Sequence, residues 1–138
     1  MYGEHPHSID RQRQMLGAVL FEAALVKHGF RVAQPRSDIN IDLIVYAADP
    51  GPFWYALPMQ LKIAVGAAFD PDEGFMGRTS LRDVVVAYIW VREDESRFFL
   101  LSYDEAARAW EPWFDAEKLA DFEDRWDWLR SRLTGGPT

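Results

Sequence analysis

Residues 84–91, VVVAYIWV, form a run in which every side chain is apolar or aromatic. A strand with one solvated face alternates between apolar and polar residues, whereas a strand covered on both faces is apolar almost throughout. The run therefore predicts a central strand with a layer of structure packed on each side. This constraint favours a layered α/β domain over a sheet with one face open to solvent.

The predicted elements around this strand give the order helix, three strands, irregular stretch, two strands, helices. The segment 66–80 holds three glycines and no sustained period, so we expect a loop there. DPGP at 49–52 predicts a turn, which makes the strands on either side of it hairpin partners. The predicted helices are 8–30, 103–110 and 115–133, and the other strands are 30–35, 39–48, 53–65 and 97–102.

The helix predicted at 8–30 has the clearest end signals. Ser8 or Asp10 can cap its first turn, and Gly29 follows the last turn, where a left-handed residue ends a helix at little cost. The stripe that the pattern assigns to its apolar face consists of Met15, Val19, Glu22 and Val26. The stripe assigned to the helix at 115–133 consists of Leu119, Phe122, Trp126 and Leu129.

Length and composition predict one soluble domain. A chain of 138 residues with 49% hydrophobic side chains is long enough for a core of its own. We therefore expect a single domain over 1–138, with residues 1–8 and 134–138 as flexible tails. The sequence contains no cysteine, no signal-peptide core and no apolar run of membrane-spanning length, so we expect a cytoplasmic protein without a membrane partner.

The net charge of −7 is unevenly distributed along the chain. Residues 1–70 carry a net charge of −1 and residues 71–138 carry −6. A general nucleic-acid binder has a basic footprint, which this chain lacks. Any nucleic-acid contact must therefore depend on a local site.

Four polar residues lie within patterns that predict burial. Glu22 is on the apolar stripe of the first helix, Asp42 is in the middle of a strand, and Gln60 and Lys62 are one pleat apart on the next strand. A buried carboxylate costs several kcal/mol unless it is paired or bound to a cation. If the two strands form a hairpin, Asp42 comes near Gln60 and Lys62. Carboxylate and amide oxygens suit Mg²⁺ or Mn²⁺, and a lysine can stabilise developing negative charge.

The order of these residues resembles the PD-(D/E)xK nuclease superfamily, which has the restriction-endonuclease-like fold. The resemblance covers about residues 13–103 and is closest to the branch of resolvase-like and intron-encoded endonucleases. A glutamate in the first helix precedes an aspartate in the following hairpin and a (D/E/Q)-x-K tripeptide on the next strand. The segments that carry the resemblance are GFRVAQP (29–35), IDLIVY (41–46) and MQLKIA (59–64).

The resemblance implies hydrolysis of DNA phosphodiester bonds by a metal-activated water, with Mg²⁺ or Mn²⁺ as the cofactor. It makes Asp42 the main metal ligand, Gln60 and Glu22 further ligands, and Lys62 the catalytic lysine. It also implies a homodimer or a protein partner that supplies target recognition. Two positions depart from the pattern: Ile41 replaces proline, and Gln60 replaces an acidic residue, which removes one negative charge from the metal site.

Other interpretations of these residues stay open at the level of sequence. Taken singly, each of the four polar residues fits an ordinary structural role, such as a surface ion pair or a lysine at a strand edge. The chain could be an inactive member of the same fold that serves as a protein-interaction module, or an acidic protein that imitates DNA. A basic rim around Lys62 would favour a nuclease, and its candidate members are Arg31, Arg36, Arg78 and Arg82.

Overall fold

The computed structural model describes six segments of the chain, which contain the predicted helices and strands. These segments are residues 6–36, 41–49, 55–64, 83–92, 95–109 and 116–134. The helices are α1 (Pro6–Lys27), α2 (Tyr103–Ala109) and α3 (Trp126–Leu133), with a 3₁₀ helix at Ala116–Phe122. The strands are β1 (Phe30–Ala33), β2 (Leu43–Ala47), β3 (Ala56–Ala64), β4 (Val85–Val91) and β5 (Ser96–Ser102).

The five strands form one mixed sheet in the order β1-β2-β3-β4-β5. β3 and β4 are parallel, and the other neighbouring strands are antiparallel. The expected pairing of β2 with β3 is confirmed, with Leu43 opposite Met59. The turn predicted at 49–52 and the loop predicted at 66–80 fall largely or wholly outside the described residues.

β4 is buried along its whole length, as the run of apolar residues predicts. Val85, Ala87 and Ile89 belong to a core with Phe21 of α1 and Leu129 of α3. The alternate residues of β4 belong to a second core, on the opposite side of the sheet, with α2 and the 3₁₀ helix. We call these two sides the α1 face and the α2 face. The predicted α/β architecture, an N-terminal helix followed by a mixed five-stranded sheet and C-terminal helices, is confirmed.

The buried side of α1 differs from the prediction. The residues that face the sheet are Gly17, Phe21 and Leu25, all of which are buried. The apolar members of the predicted stripe are instead exposed, to 63%, 59% and 52% for Met15, Val19 and Val26. Within the described part of the chain, no helix combines the length and apolar character needed to cross a membrane.

Gly17 explains why the sheet selects that side of the helix. A Cβ atom at this position would lie 2.8 Å from Ile63 Cγ2 and 3.0 Å from Val91 Cγ2. The missing side chain therefore lets α1 lie directly on β3 and β4, while Phe21 and Leu25 fill the core beyond it. Gly29, at φ 92°, ends the helical segment in the left-handed conformation, so the predicted stop signal is confirmed.

The single helix predicted over 115–133 is wrong, because the chain there crosses from one face of the sheet to the other. Leu119 of the 3₁₀ helix packs on the α2 face, whereas Trp126 of α3 packs on the α1 face. Between them, Glu123 forms an antiparallel bridge to Phe99 at the outer edge of β5, and Asp124 has a positive φ of 54°.

An arginine on β5 stabilises this crossing. Arg97 donates from Nε and Nη2 to the two carboxylate oxygens of Glu123, at 2.9 and 2.8 Å. Two parallel hydrogen bonds of this kind fix both the position and the orientation of a carboxylate. The tertiary contact at the sheet edge therefore outweighs the helical periodicity of the local sequence.

Gly17→Leu is predicted to lower the free energy of unfolding by about 1–3 kcal/mol, because a side chain there must push α1 away from β3 and β4. Ala23→Leu adds the same residue to α1 at an exposed position and should leave stability within about 0.5 kcal/mol of wild type. Urea unfolding followed by circular dichroism compares the two variants. Equal effects would contradict the close approach at Gly17.

Candidate active site

β3 carries the two polar residues of the QxK tripeptide on the α2 face. Met59 points into the core on the α1 face, where Leu61 and Ile63 also pack. Side chains alternate along a strand, so Gln60 and Lys62 project from the other face. In the parallel ladder with β4, Gln60 lies opposite Val86 and Lys62 lies opposite Tyr88.

Gln60 is buried, with 7% of its surface exposed. Its Oε1 is the one buried side-chain oxygen or nitrogen among the described residues that has no hydrogen-bond partner. An amide oxygen left in this state costs about 1–3 kcal/mol relative to one with a partner. A buried oxygen of this kind is available to a cation or a substrate donor.

Asp42 lies directly before β2 and is held against β3 by two hydrogen bonds. Its backbone N–H donates to the carbonyl oxygen of Met59 at 2.9 Å. Its Oδ2 accepts a hydrogen bond from the backbone N–H of Leu61 at 2.8 Å. The two contacts lie on either side of Gln60 along β3, so the Asp42 carboxylate is fixed beside the QxK tripeptide while remaining exposed.

Lys62 is half-buried, between the exposed Asp42 and the buried core of the α2 face. Its neighbour in the ladder, Tyr88, is buried in that core, and burial raises the pKa of the Tyr88 hydroxyl to about 12. The phenol is therefore neutral at physiological pH. The sequence gave no indication that Tyr88 would adjoin Lys62, because the register of a parallel pair across a long connection is set by tertiary packing.

The predicted site residues are brought together only in part. Asp42, Gln60 and Lys62 lie along the same stretch of β3. Glu22 is half-buried on α1, which packs against the α1 face, whereas Gln60 and Lys62 project from the α2 face. The structure does not bring Glu22 onto their face, and its role as a metal ligand stays a prediction.

The donor set was compared with the needs of a divalent cation. Mg²⁺ in proteins is commonly held by one or two carboxylates together with several water molecules. The Asp42 carboxylate and the unpaired Gln60 Oε1 are hard oxygen donors that fit such an ion. Within the described residues, no group of three His, Asp or Glu side chains could hold a metal.

The predicted basic rim is only partly within the described residues. Arg31 and Arg36 are exposed. Arg31 lies opposite Tyr46 in the β1–β2 ladder, at a position that alternates with the core residues Phe30 and Val32. Its side chain therefore shares the α2 face with Lys62. Arg78 and Arg82 lie outside the described residues.

The comparisons with known proteins support the fold. The chain is similar to the solved structure of a bacterial homing endonuclease, I-Ssp6803I, with a TM-score of 0.65 over 91% of this chain and 94% of that one. The sequence identity is 12%, so this likeness concerns the fold alone. The sequence matches no protein-family model and no curated protein. The chain therefore has a nuclease-like fold, in agreement with the fold expected from its sequence.

Gln60→Met is predicted to raise the free energy of unfolding by about 1 kcal/mol in metal-free buffer, because it replaces an unpaired buried amide with an apolar group of similar volume. The matched control is Gln34→Met at an exposed position, which should change stability by less than about 0.5 kcal/mol. Urea unfolding in the presence of a chelator measures both. A loss of stability in Gln60→Met would show that the amide has a partner in the folded protein.

Proposed function

We propose that this chain is a metal-dependent nuclease that hydrolyses phosphodiester bonds of DNA. The observation that carries the proposal is the placement of the Asp42 carboxylate on the Leu61 N–H, beside a buried Gln60 with an unpaired Oε1 and next to Lys62. The likeness of the fold to that of a homing endonuclease supports the same reaction class. The sequence resemblance to the PD-(D/E)xK superfamily assigns these three positions to its site.

Each residue then has a distinct role. Asp42 and Gln60 would hold Mg²⁺ or Mn²⁺ through their oxygens. When bound, such an ion supplies Lewis-acid activation of a water molecule and neutralises charge on the phosphate. Lys62 places an ammonium group beside that position, where it donates hydrogen bonds to phosphate oxygen and stabilises the negative charge that develops in the transition state. The Leu61 N–H keeps Asp42 in position through the reaction.

The acidic character of the chain is compatible with this site because of where the acidic groups lie. Glu117 and Glu123 flank β5, two strands away from β3 and thus about 10 Å from it across the sheet. At physiological ionic strength that distance is about one Debye length. Arg97 forms ion pairs with both glutamates, which reduces their effect on a bound polyanion further.

An inactive protein of the same fold, acting as a protein-interaction module, is the second candidate. The observation that favours it is Gln60 itself, because an amide gives the cation no negative charge where a carboxylate would. The net charge of −7 also disfavours affinity for DNA. A homodimer, or a protein partner, belongs to either candidate as a further proposal.

Nicking of supercoiled, linear and branched DNA in Mg²⁺ or Mn²⁺ separates the two candidates. Wild-type protein is expected to cut, and Lys62→Ala is expected to cut at least about 100-fold more slowly because it removes a donor to the developing charge. Asp42→Asn keeps an oxygen that can accept from the Leu61 N–H but loses the carboxylate charge, so it should lose cleavage without unfolding.

Two exposed residues provide matched controls, Lys27→Ala on α1 and Asp121→Asn on the 3₁₀ helix. Both should cleave at the wild-type rate. Cleavage that persists unchanged in Lys62→Ala would contradict the assigned site, and the absence of cleavage in wild type would favour the interaction module. Glu22→Gln in the same assay tests the helix carboxylate.

Metal affinity can be tested without any cleavage. Gln60→Glu adds a carboxylate at the proposed cation site and should tighten Mn²⁺ binding by about tenfold, since ligand charge tunes the affinity of oxygen sites. Gln34→Glu adds the same charge at an exposed position and should leave the affinity unchanged. Isothermal titration calorimetry measures both, and equal affinities in the two variants would place the cation elsewhere.

A further inference from the structure

We propose that Tyr88 is a positioning residue for Lys62, holding the lysine ammonium group toward Asp42 and Gln60. The inference rests on the proposed nuclease function for its meaning, although the contact itself can be tested without cleavage. Nothing in the family motif includes a residue on β4. The proposal comes from the register of the parallel ladder and from the burial of the tyrosine.

Register places the two side chains next to each other. Lys62 on β3 and Tyr88 on β4 are direct partners in the parallel ladder, and neighbouring strands lie about 4.8 Å apart. Both side chains leave the sheet on the α2 face, because Gln60 pairs with Val86 two residues earlier in the same alternation. Lysine and tyrosine have similar lengths, so the ammonium group and the phenol hydroxyl rise to similar heights above the sheet.

Tyr88 is rigid where Lys62 is mobile. The tyrosine is 4% exposed and packs in the α2-face core with Phe99 and Leu101, which restricts its ring to one orientation. Lysine has four rotatable bonds, and its side chain loses up to about 2 kcal/mol of conformational entropy when it is fixed. A neutral phenol oxygen beside it accepts a hydrogen bond from the ammonium group and so favours one direction for the chain.

The order of burial across the site supports this arrangement. Tyr88 is buried, Lys62 is half-buried and Asp42 is exposed, so Lys62 lies at the boundary between the core and the solvent-facing part of the site. An ammonium group in that position keeps contact with water while its aliphatic stem packs along the tyrosine ring. The phenol thus occupies the inner side of the lysine and leaves the outer side for substrate.

Tyr88→Phe tests the proposal because it removes only the hydroxyl. We expect kcat for DNA nicking to fall about tenfold with KM unchanged, which corresponds to one hydrogen bond lost in the transition state. In a Lys62→Ala background, Tyr88→Phe should have no further effect. Tyr103→Phe is the matched control: it removes a second buried tyrosine hydroxyl, at the start of α2, and should leave kcat unchanged in both backgrounds.

A spectroscopic readout tests the contact independently of activity. The ¹⁵N relaxation order parameter of the Lys62 ammonium group should be high in wild type and should fall in Tyr88→Phe but not in Tyr103→Phe. An unchanged order parameter would overturn the proposal, as would additive effects of Tyr88→Phe and Lys62→Ala on kcat. If wild-type protein does not cleave DNA, the proposed function fails while the relaxation measurement still decides whether Tyr88 holds Lys62.

Discussion

The hydrogen bond from the Leu61 N–H to the Asp42 carboxylate is the interaction on which the candidate site depends. Asp42 precedes β2, and without this contact its side chain would lie beside the sheet with no fixed relation to β3. The bond at 2.8 Å, together with the bond from the Asp42 N–H to Met59, places the carboxylate beside Gln60. The backbone of β3 thus holds a charged group that the core of the sheet could not accommodate.

Gln60 shows how the fold accommodates a polar donor in a nearly buried position. A carboxylate at 7% exposure would carry a desolvation cost of several kcal/mol in the absence of a cation, whereas a neutral amide costs about 1–3 kcal/mol when unpaired. The substitution of glutamine for an acidic residue therefore makes the metal-free protein easier to fold. The same substitution weakens the attraction for the cation, so Asp42 carries the charge of the proposed site.

The sequence predicted the elements whose pattern has a single interpretation. The apolar run of β4 can be satisfied only by cover on both faces, and Gly29 ends α1 in the left-handed conformation that few other residues adopt. The pairing of β2 with β3 followed from the short connection between them. The closeness of Asp42 to Gln60 and Lys62 followed from that pairing and from the resemblance to a known motif.

The errors arose where apolar residues offered more than one solution. α1 has apolar side chains around most of its circumference, so its periodicity could not show that the small Gly17 lies against the sheet. The C-terminal segment reads as one helix, but the contact between Arg97 and Glu123 at the edge of β5 divides it between two faces. The neighbour of Lys62 was also out of reach, because Tyr88 arrives there through a long connection between parallel strands.

The central claim is that Asp42 and Gln60 form a cation site on β3, and a crystal structure of the wild-type protein grown with Mn²⁺ tests it most directly. An anomalous difference map is predicted to show a peak about 2.0–2.3 Å from both an Asp42 carboxylate oxygen and Gln60 Oε1. A map with its peak elsewhere, or without one at Mn²⁺ concentrations that support cleavage, would contradict the account.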